Sequence, residues 1–273
     1  MSKTYEVYLV SDSTGETLDR IFLALQAQFI NFKHISHQYA FTRTENQITK
    51  ILDICKKKKN SIILYTIVDT QLAKFLVAKS KNENIPCFGV LGDLILRFSK
   101  LLHQEASHIP SGQHVLDEDY YKRIEAIQFT MGHDDGKITS DIEKSDVVLL
   151  GISRTSKTPI SIYLANRGYK TCNIPIINKN SIPDKLTKNS KASCVVGLIA
   201  EPSRLLDVRK NRMNFLSEKK PGWYTDIEKI RLEVEMSKNI FKKNNWPIID
   251  VTRKSVEESA ASIIKIYDIV HSR

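Results

Sequence analysis

Short apolar runs alternate with segments of helical periodicity along nearly the whole of this chain, and that alternation restricts the fold more than any other feature. Runs at Tyr5–Val10, Ser36–Phe41, Ser61–Ile67, Pro86–Leu91, Asp146–Leu150, Cys172–Ile176, Cys194–Leu198 and Pro247–Val251 have strand length and apolar content. Between them, Thr14–Phe29, Glu45–Lys57, Thr70–Lys81, Leu94–Leu102 and Tyr120–Gln128 read as amphipathic helices, as do Thr158–Arg167, Pro202–Arg212, Trp223–Lys242 and Ser255–Ile269. A parallel strand pair needs a crossover, and a helix of this length supplies one. The expected class is therefore α/β, with mainly parallel sheets and flanking helices. At 273 residues the chain is long enough for one large domain or two modest ones. The polar stretch His103–Asp119, with three histidines, a Pro and a Gly, marks the boundary. The expected division is an N-terminal Rossmann-like α/β domain over 1–115, a helical bridge over 116–145, and a P-loop kinase-like domain over 146–273.

The last of these rests on residues 146–158, DVVLLGISRTSKT. An apolar run ends at Gly151, Lys157-Thr158 follows, and PISIYLANRG then has helical spacing with Gly168 as a stop. Strand, tight polar loop and helix is the context of a phosphate-binding loop, whose backbone N–H groups and lysine face an anion. On that reading Gly151, Ile152, Ser153, Arg154, Thr155, Ser156, Lys157 and Thr158 hold the phosphates, Lys157 is a mobile charge, and Thr158 is placed for Mg²⁺. Ser156 stands where glycine is usual. The relaxed pattern arises by chance about 0.1 times in such a chain, so the flanking strand and helix carry the argument. An ordinary strand-to-helix turn with a surface lysine is the bland alternative.

Three further constellations are weaker. Val10-Ser11-Asp12-Ser13-Thr14-Gly15-Glu16-Thr17 offers a second anion nest, although Asp12, Ser13 and Thr14 equally suit a plain helix cap. Met131-Gly132-His133-Asp134-Asp135-Gly136 sets two carboxylates beside a histidine, as proton transfer or Mg²⁺ positioning requires; a polar turn has the same composition. In the helix after Glu201, Arg204 and Arg212 share a face from which guanidinium forks would grip phosphate, with Arg209 offset. Asp250, after an apolar run, is a candidate second Mg²⁺ partner of Walker B type. His34, His37, His103, His108 and His114 form no metal spacing.

Net charge is +10, yet no aromatic-interleaved basic stripe accompanies it, so Lys-rich surface explains it better than nucleic-acid binding. No apolar run approaches the roughly 20 residues of a membrane span, and MSKTYEVYLV lacks a signal-peptide pattern. Cys55, Cys87, Cys172 and Cys194 are scattered without metal-ligand spacing. A cytoplasmic, reduced protein is expected, with neither nucleic acid nor membrane as partner.

Taken together, VSDSTGET at 10–17, MGHDDG at 131–136, GISRTSKTPISIYLANRGYKTCNIPI at 151–176 and GLIAEPSRLLDVRKNRM at 197–213 resemble the bacterial and plastid regulatory proteins of pyruvate, phosphate dikinase and phosphoenolpyruvate synthase. The resemblance runs in order from residue 5 to about 270. It implies a bifunctional regulator that phosphorylates a threonine of its target with ADP as donor, inactivating it. It implies the reverse too, with inorganic phosphate as co-substrate and pyrophosphate as product. The acceptor threonine lies beside the target's catalytic histidine. By match to the family's nucleotide loop, Gly151–Thr158 is the ADP site. Lys157 then binds the diphosphate, Arg154 contacts the transferring phosphoryl, Asp134 or Asp135 is the base, with His133 beside them, and Mg²⁺ sits at Thr158. The Ser11–Thr17 loop would take phosphate or the target's phosphohistidine surface. Thr155-Ser156 before the lysine resembles dikinase regulators, where synthase regulators tend to have glycine. The rival readings are the synthase as target, or a small-molecule P-loop kinase. Monomer and homodimer both remain open.

Overall fold

A computed structural model describes residues 3–112, 118–136, 141–188, 194–216 and 222–272. The chain forms two compact units, Met1–Val115 and Leu116–Arg273. His114 and parts of the 116–145 segment lie outside the described residues.

In the first unit, β1 (Tyr5–Ser11), β2 (His34–Tyr39), β3 (Ser61–Thr66) and β4 (Cys87–Gly89) form a parallel sheet in the order β2-β1-β3-β4. The alternate side chains of β1 go to opposite faces, as the two-residue repeat of a strand requires. Tyr8 and Val10 pack with α2 (Glu45–Lys56) and α3 (Thr70–Asn82) through Ile48, Ile51, Leu72 and Leu76. Val7 and Leu9 pack with α1 (Glu16–Gln26) through Leu18 and Phe22. The sheet is thus covered on both faces, which is what keeps an all-parallel sheet stable. The last helix, α4 (Gly92–Leu102), buries none of its residues, and Leu94, Leu96, Phe98, Leu101 and Leu102 are exposed.

The second unit repeats the topology. Here β5 (Val147–Gly151), β6 (Thr171–Pro175), β7 (Cys194–Ile199) and β8 (Ile248–Asp250) lie parallel in the order β6-β5-β7-β8. Its helices are α5 (Glu118–Gly132), α6 (Lys157–Ala165), α7 (Asp184–Lys188), α8 (Pro202–Leu216), α9 (Ile227–Lys243) and α10 (Val256–His271). The segment expected as a bridge falls inside this unit, where α5 packs on α6 and β6. In each sheet the strand order reverses beside the first strand, so the loops after β1 and β5 sit at the switch point where open α/β sheets receive ligands.

All the expected strands form, with shifted ends. The second occupies His34–Tyr39 rather than Ser36–Phe41, and Phe41 has a left-handed φ of 52°. The helix α5 runs from Glu118 to Gly132, longer at both ends than Tyr120–Gln128, and α7 was not expected. Cys55, Cys172 and Cys194 are buried, Cys87 is half-buried, and all are free thiols. No helix among the described residues is long and apolar enough to cross a membrane.

Candidate active site

Every residue of β5 is buried, and its last, Gly151, has no room for a side chain. A Cβ there would stand 2.6 Å from Thr155 Oγ1 and 2.9 Å from the Leu198 carbonyl oxygen on the neighbouring β7. The chain can therefore turn sharply over its own sheet. Arg154 and Ser156 both adopt left-handed backbone, at φ 73° and 59°. Left-handed residues alternating along a loop gather successive N–H groups into an anion-binding concavity. A glycine preceding the lysine would take such a φ freely; Ser156 takes it at a cost of about 1–2 kcal/mol. Ser156 is the N-cap of α6 and makes no side-chain capping bond of its own.

Lys157 is not the mobile charge expected of it. It is buried, and its Nζ donates to the Ile152 carbonyl at 3.1 Å, which also accepts from Thr155 Oγ1 at 3.0 Å. Burial lowers its pKa to about 8, against the opposing pull of Asp135 and Asp134.

The carboxylates arrive from α5. Its C-terminal end is laid along β6, with Asn173 N donating to the His133 carbonyl at 3.1 Å. Asp134–Gly136 follow as a single 3₁₀ turn, with Asp135 left-handed at φ 54°. Thr158 Oγ1 donates to Asp134 Oδ1 at 3.0 Å, and Asn173 Nδ2 donates to the same oxygen at 2.5 Å and to Thr158 Oγ1 at 3.1 Å. Loop and carboxylate turn are thereby joined in one polar cluster. Asp135 instead lines a cavity of about 730 Å³ together with Arg154, Ser156, Lys157 and Thr158. That size suits a nucleotide-scale ligand. His133 does not line it: the ring stacks on Phe129 at 3.8 Å, Nδ1 donates to the Phe129 carbonyl at 2.7 Å, and Nε2 is enclosed with no partner among the described residues.

The far wall comes from α8 and α9. Of the arginines on α8, Arg204 and Arg212, expected as a clamp, are exposed and away from the cavity, while the offset Arg209 is 1% exposed and lines it. Helix geometry explains the reversal. The face of α8 turned inward carries Leu205 and Arg209, four residues apart. Arg209 donates to Glu233 Oε2 at 2.6 Å, to the Tyr224 carbonyl at 3.1 Å and to the Ser153 carbonyl at 3.4 Å, and lies over the Tyr224 ring at 4.8 Å. Tyr224 Oη in turn accepts from Arg154 Nε at 3.2 Å and shares a hydrogen bond with Ser153 Oγ at 3.2 Å. Burial by itself would raise this phenol's pKa; bonds to Ser153 and Arg154 and the charges of Arg154 and Arg209 bring it below the usual value. No local pattern marked Tyr224 or Asn173, because only the fold brings them to the loop.

Asp250 does not join the site. It is exposed, and its Oδ1 is taken by the backbone N–H and the hydroxyl of Thr252 in a local turn. The Ser11–Thr17 loop lines a smaller cavity of about 170 Å³ in the first unit. Its expected capping residues do not cap α1. Gly15 is the N-cap at φ 86° without a side-chain bond, and the buried Asp12 carboxylate accepts from Val68 N at 2.7 Å. Among the described residues no group of three or more His, Cys, Asp or Glu side chains converges as a metal cage.

Comparison with known proteins gives a consistent picture. A family described as kinase/pyrophosphorylase matches residues 7–264. A protein of Pelagibacter ubique is 66% identical over 269 residues, covering 98% of each chain. Proteins of Sinorhizobium fredii (44% over 263 residues) and Chelativorans sp. (42% over 262 residues) each cover 96% of both chains. All three carry the name "Putative pyruvate, phosphate dikinase regulatory protein".

Proposed function

Because the chain belongs to the kinase/pyrophosphorylase family of pyruvate, phosphate dikinase regulatory proteins, we propose that it moves phosphoryl groups on and off a threonine of that dikinase. In the forward reaction the β-phosphoryl of ADP passes to the threonine hydroxyl, giving phosphothreonine, AMP and a proton. In the reverse, inorganic phosphate attacks the phosphothreonine, releasing pyrophosphate and restoring the hydroxyl. One observation carries the reading: the β5–α6 loop and the Asp134–Gly136 turn meet in one hydrogen-bonded cluster at the edge of a nucleotide-sized cavity. Phosphoryl transfer asks a protein mainly for positioning and charge neutralisation, and these residues supply both.

The loop amides and Lys157 would hold the diphosphate. Arg154, steadied by Tyr224, would meet the phosphoryl in flight. Asp134 is committed to Thr158 and Asn173, whereas Asp135 faces the cavity, so Asp135 is the better candidate to take the threonine proton. The Thr158 hydroxyl and the Asp134 carboxylate are hard oxygen donors that suit Mg²⁺, which commonly binds through one or two protein groups plus substrate phosphates rather than a full protein cage. Bound there, the ion would neutralise charge on the phosphates. Free thiols throughout agree with action in the cytoplasm. Thr155-Ser156 and the names of the relatives favour dikinase over synthase as the target.

The test is a transfer assay with purified dikinase and two labelled donors, β-labelled ADP and γ-labelled ATP. Label from ADP on a dikinase threonine, with AMP formed in equal amount, is the expected result. Label passing only from ATP, or only to a small molecule, would replace this reading with a metabolite kinase.

A further inference from the structure

We propose that Asn173 is a positioning residue that aims the Thr158 hydroxyl at the cation accompanying the nucleotide. The inference rests on the nucleotide reading of the cavity and adds a residue to it.

Asn173 lies in the middle of β6, fully buried, between the buried residues Cys172 and Ile174. A packing role alone would favour another small apolar or β-branched side chain there. Instead the amide nitrogen is spent entirely on the site. A carboxylate only accepts, so the amide's nitrogen must be the end that faces Asp134. Its two hydrogens match two acceptors, Asp134 Oδ1 at 2.5 Å and Thr158 Oγ1 at 3.1 Å. Among the described residues its own carbonyl oxygen is buried with no partner, which a side chain present only for stability would not leave. The same residue holds the carboxylate turn a second time, through the bond from its backbone N–H to the His133 carbonyl.

The consequence falls on Thr158. A hydroxyl has one hydrogen and two lone pairs. Its hydrogen points to Asp134 and the Asn173 nitrogen packs against that same side of the oxygen, so the lone pairs are held on the side away from both. Thr158 lines the cavity, and a fixed lone pair is what a hard cation with strict geometry needs from a neutral ligand. Without Asn173 only the Asp134 bond would orient the hydroxyl, and its lone pairs would be held less firmly.

The experiment is calorimetric titration of ADP into the full chain, in excess Mg²⁺ and in chelator. The parent should bind ADP more tightly with Mg²⁺. Asn173→Ala should bind ADP in chelator within about twofold of the parent, yet lose at least about tenfold of the Mg²⁺-linked gain. In a Thr158→Ala background the Asn173→Ala change should make no further difference, because the hydroxyl it acts on is gone. If the alanine variant does not fold, Asn173→Ser is measured in the same way. The parent gives an independent check: the Asn173 side-chain amide resonances should shift when Mg²⁺ joins the ADP complex, and stay still with ADP alone. A variant keeping the parent's full Mg²⁺ gain, or resonances indifferent to Mg²⁺, would overturn the inference while leaving the nucleotide site intact. A parent indifferent to ADP under both conditions would overturn the nucleotide reading, and this inference with it.

Discussion

Lys157 holds its charge inside the protein, and that fixes how ligand binding must depend on pH. Its pKa of about 8 lies below the ordinary 10.5 because burial disfavours the ammonium. An unfolded chain binds this proton more readily, so its contribution to stability rises with pH between about 8 and 10.5. A diphosphate acts in the opposite sense, since it stabilises the ammonium and raises the pKa. ADP binding should take up a proton above pH 8, and affinity should fall by up to about tenfold per unit across that window. Calorimetry at pH 8.5 in two buffers of different ionisation enthalpy measures the uptake directly. A flat affinity from pH 7 to 9.5 would remove Lys157 from the anion site. Replacing Asp135 by Asn keeps its shape in the cavity and removes its basicity, so transfer to threonine should fall by about 10²–10⁴-fold with ADP affinity little changed. An undiminished single-turnover rate would assign the base elsewhere. The residues legible in the sequence were those whose spacing is itself the signal: Gly151, Lys157 and Thr158 along one loop, Asp134 and Asp135 along one turn. Asn173 and Tyr224 were not, and Arg209 stood out only as offset from the face expected to grip phosphate, because their roles depend on what β6, α8 and α9 are folded against.

At the scale of elements, legibility followed how local each signal is. Strands buried on both faces, such as β5 and β7, read as continuous apolar runs and formed where expected. The edge strand β2, HISHQY, mixes polar and apolar residues without strict alternation, and its ends shifted. The five residues of α7 are too few for helical periodicity to declare itself. Glycines marked the closest approaches. Gly197 on β7 lies under α9, and a Cβ there would stand 2.4 Å from the fully buried Phe241 ring. That ring is enclosed, so it cannot swing aside, and the helix would have to lift. Gly197→Ala should therefore lower stability by about 1–3 kcal/mol, as overpacked cores do. The midpoint of chemical denaturation reads this, and an unshifted midpoint would show that the β7–α9 contact is looser than its geometry indicates.

The whole molecule uses one topology twice, and the two copies differ where chemistry would be done. In both, the loop after the first strand ends in a left-handed residue, Gly15 or Ser156, that begins a helix without a side-chain cap. Only the second loop carries a lysine at the helix start and opens on a cavity of nucleotide size. The first places a buried carboxylate, Asp12, beside a cavity of about 170 Å³. Burial raises the pKa of that carboxyl, so the first loop presents a buried carboxyl where the second presents a buried ammonium. The +10 charge alone could not have located the chemistry in either unit, because it is spread over many surface lysines. Every residue lining the larger cavity lies within Leu116–Arg273, which also has its own hydrophobic core on both faces of its sheet. A piece spanning 116–273 should then fold by itself, melt cooperatively, and bind ADP within a few fold of the full chain, as an ordinary domain of its size would. Circular dichroism and calorimetry decide the matter. A cooperative melt without ADP binding would mean that the first unit is needed to complete the nucleotide site. No cooperative melt would mean that the two units share one folding transition.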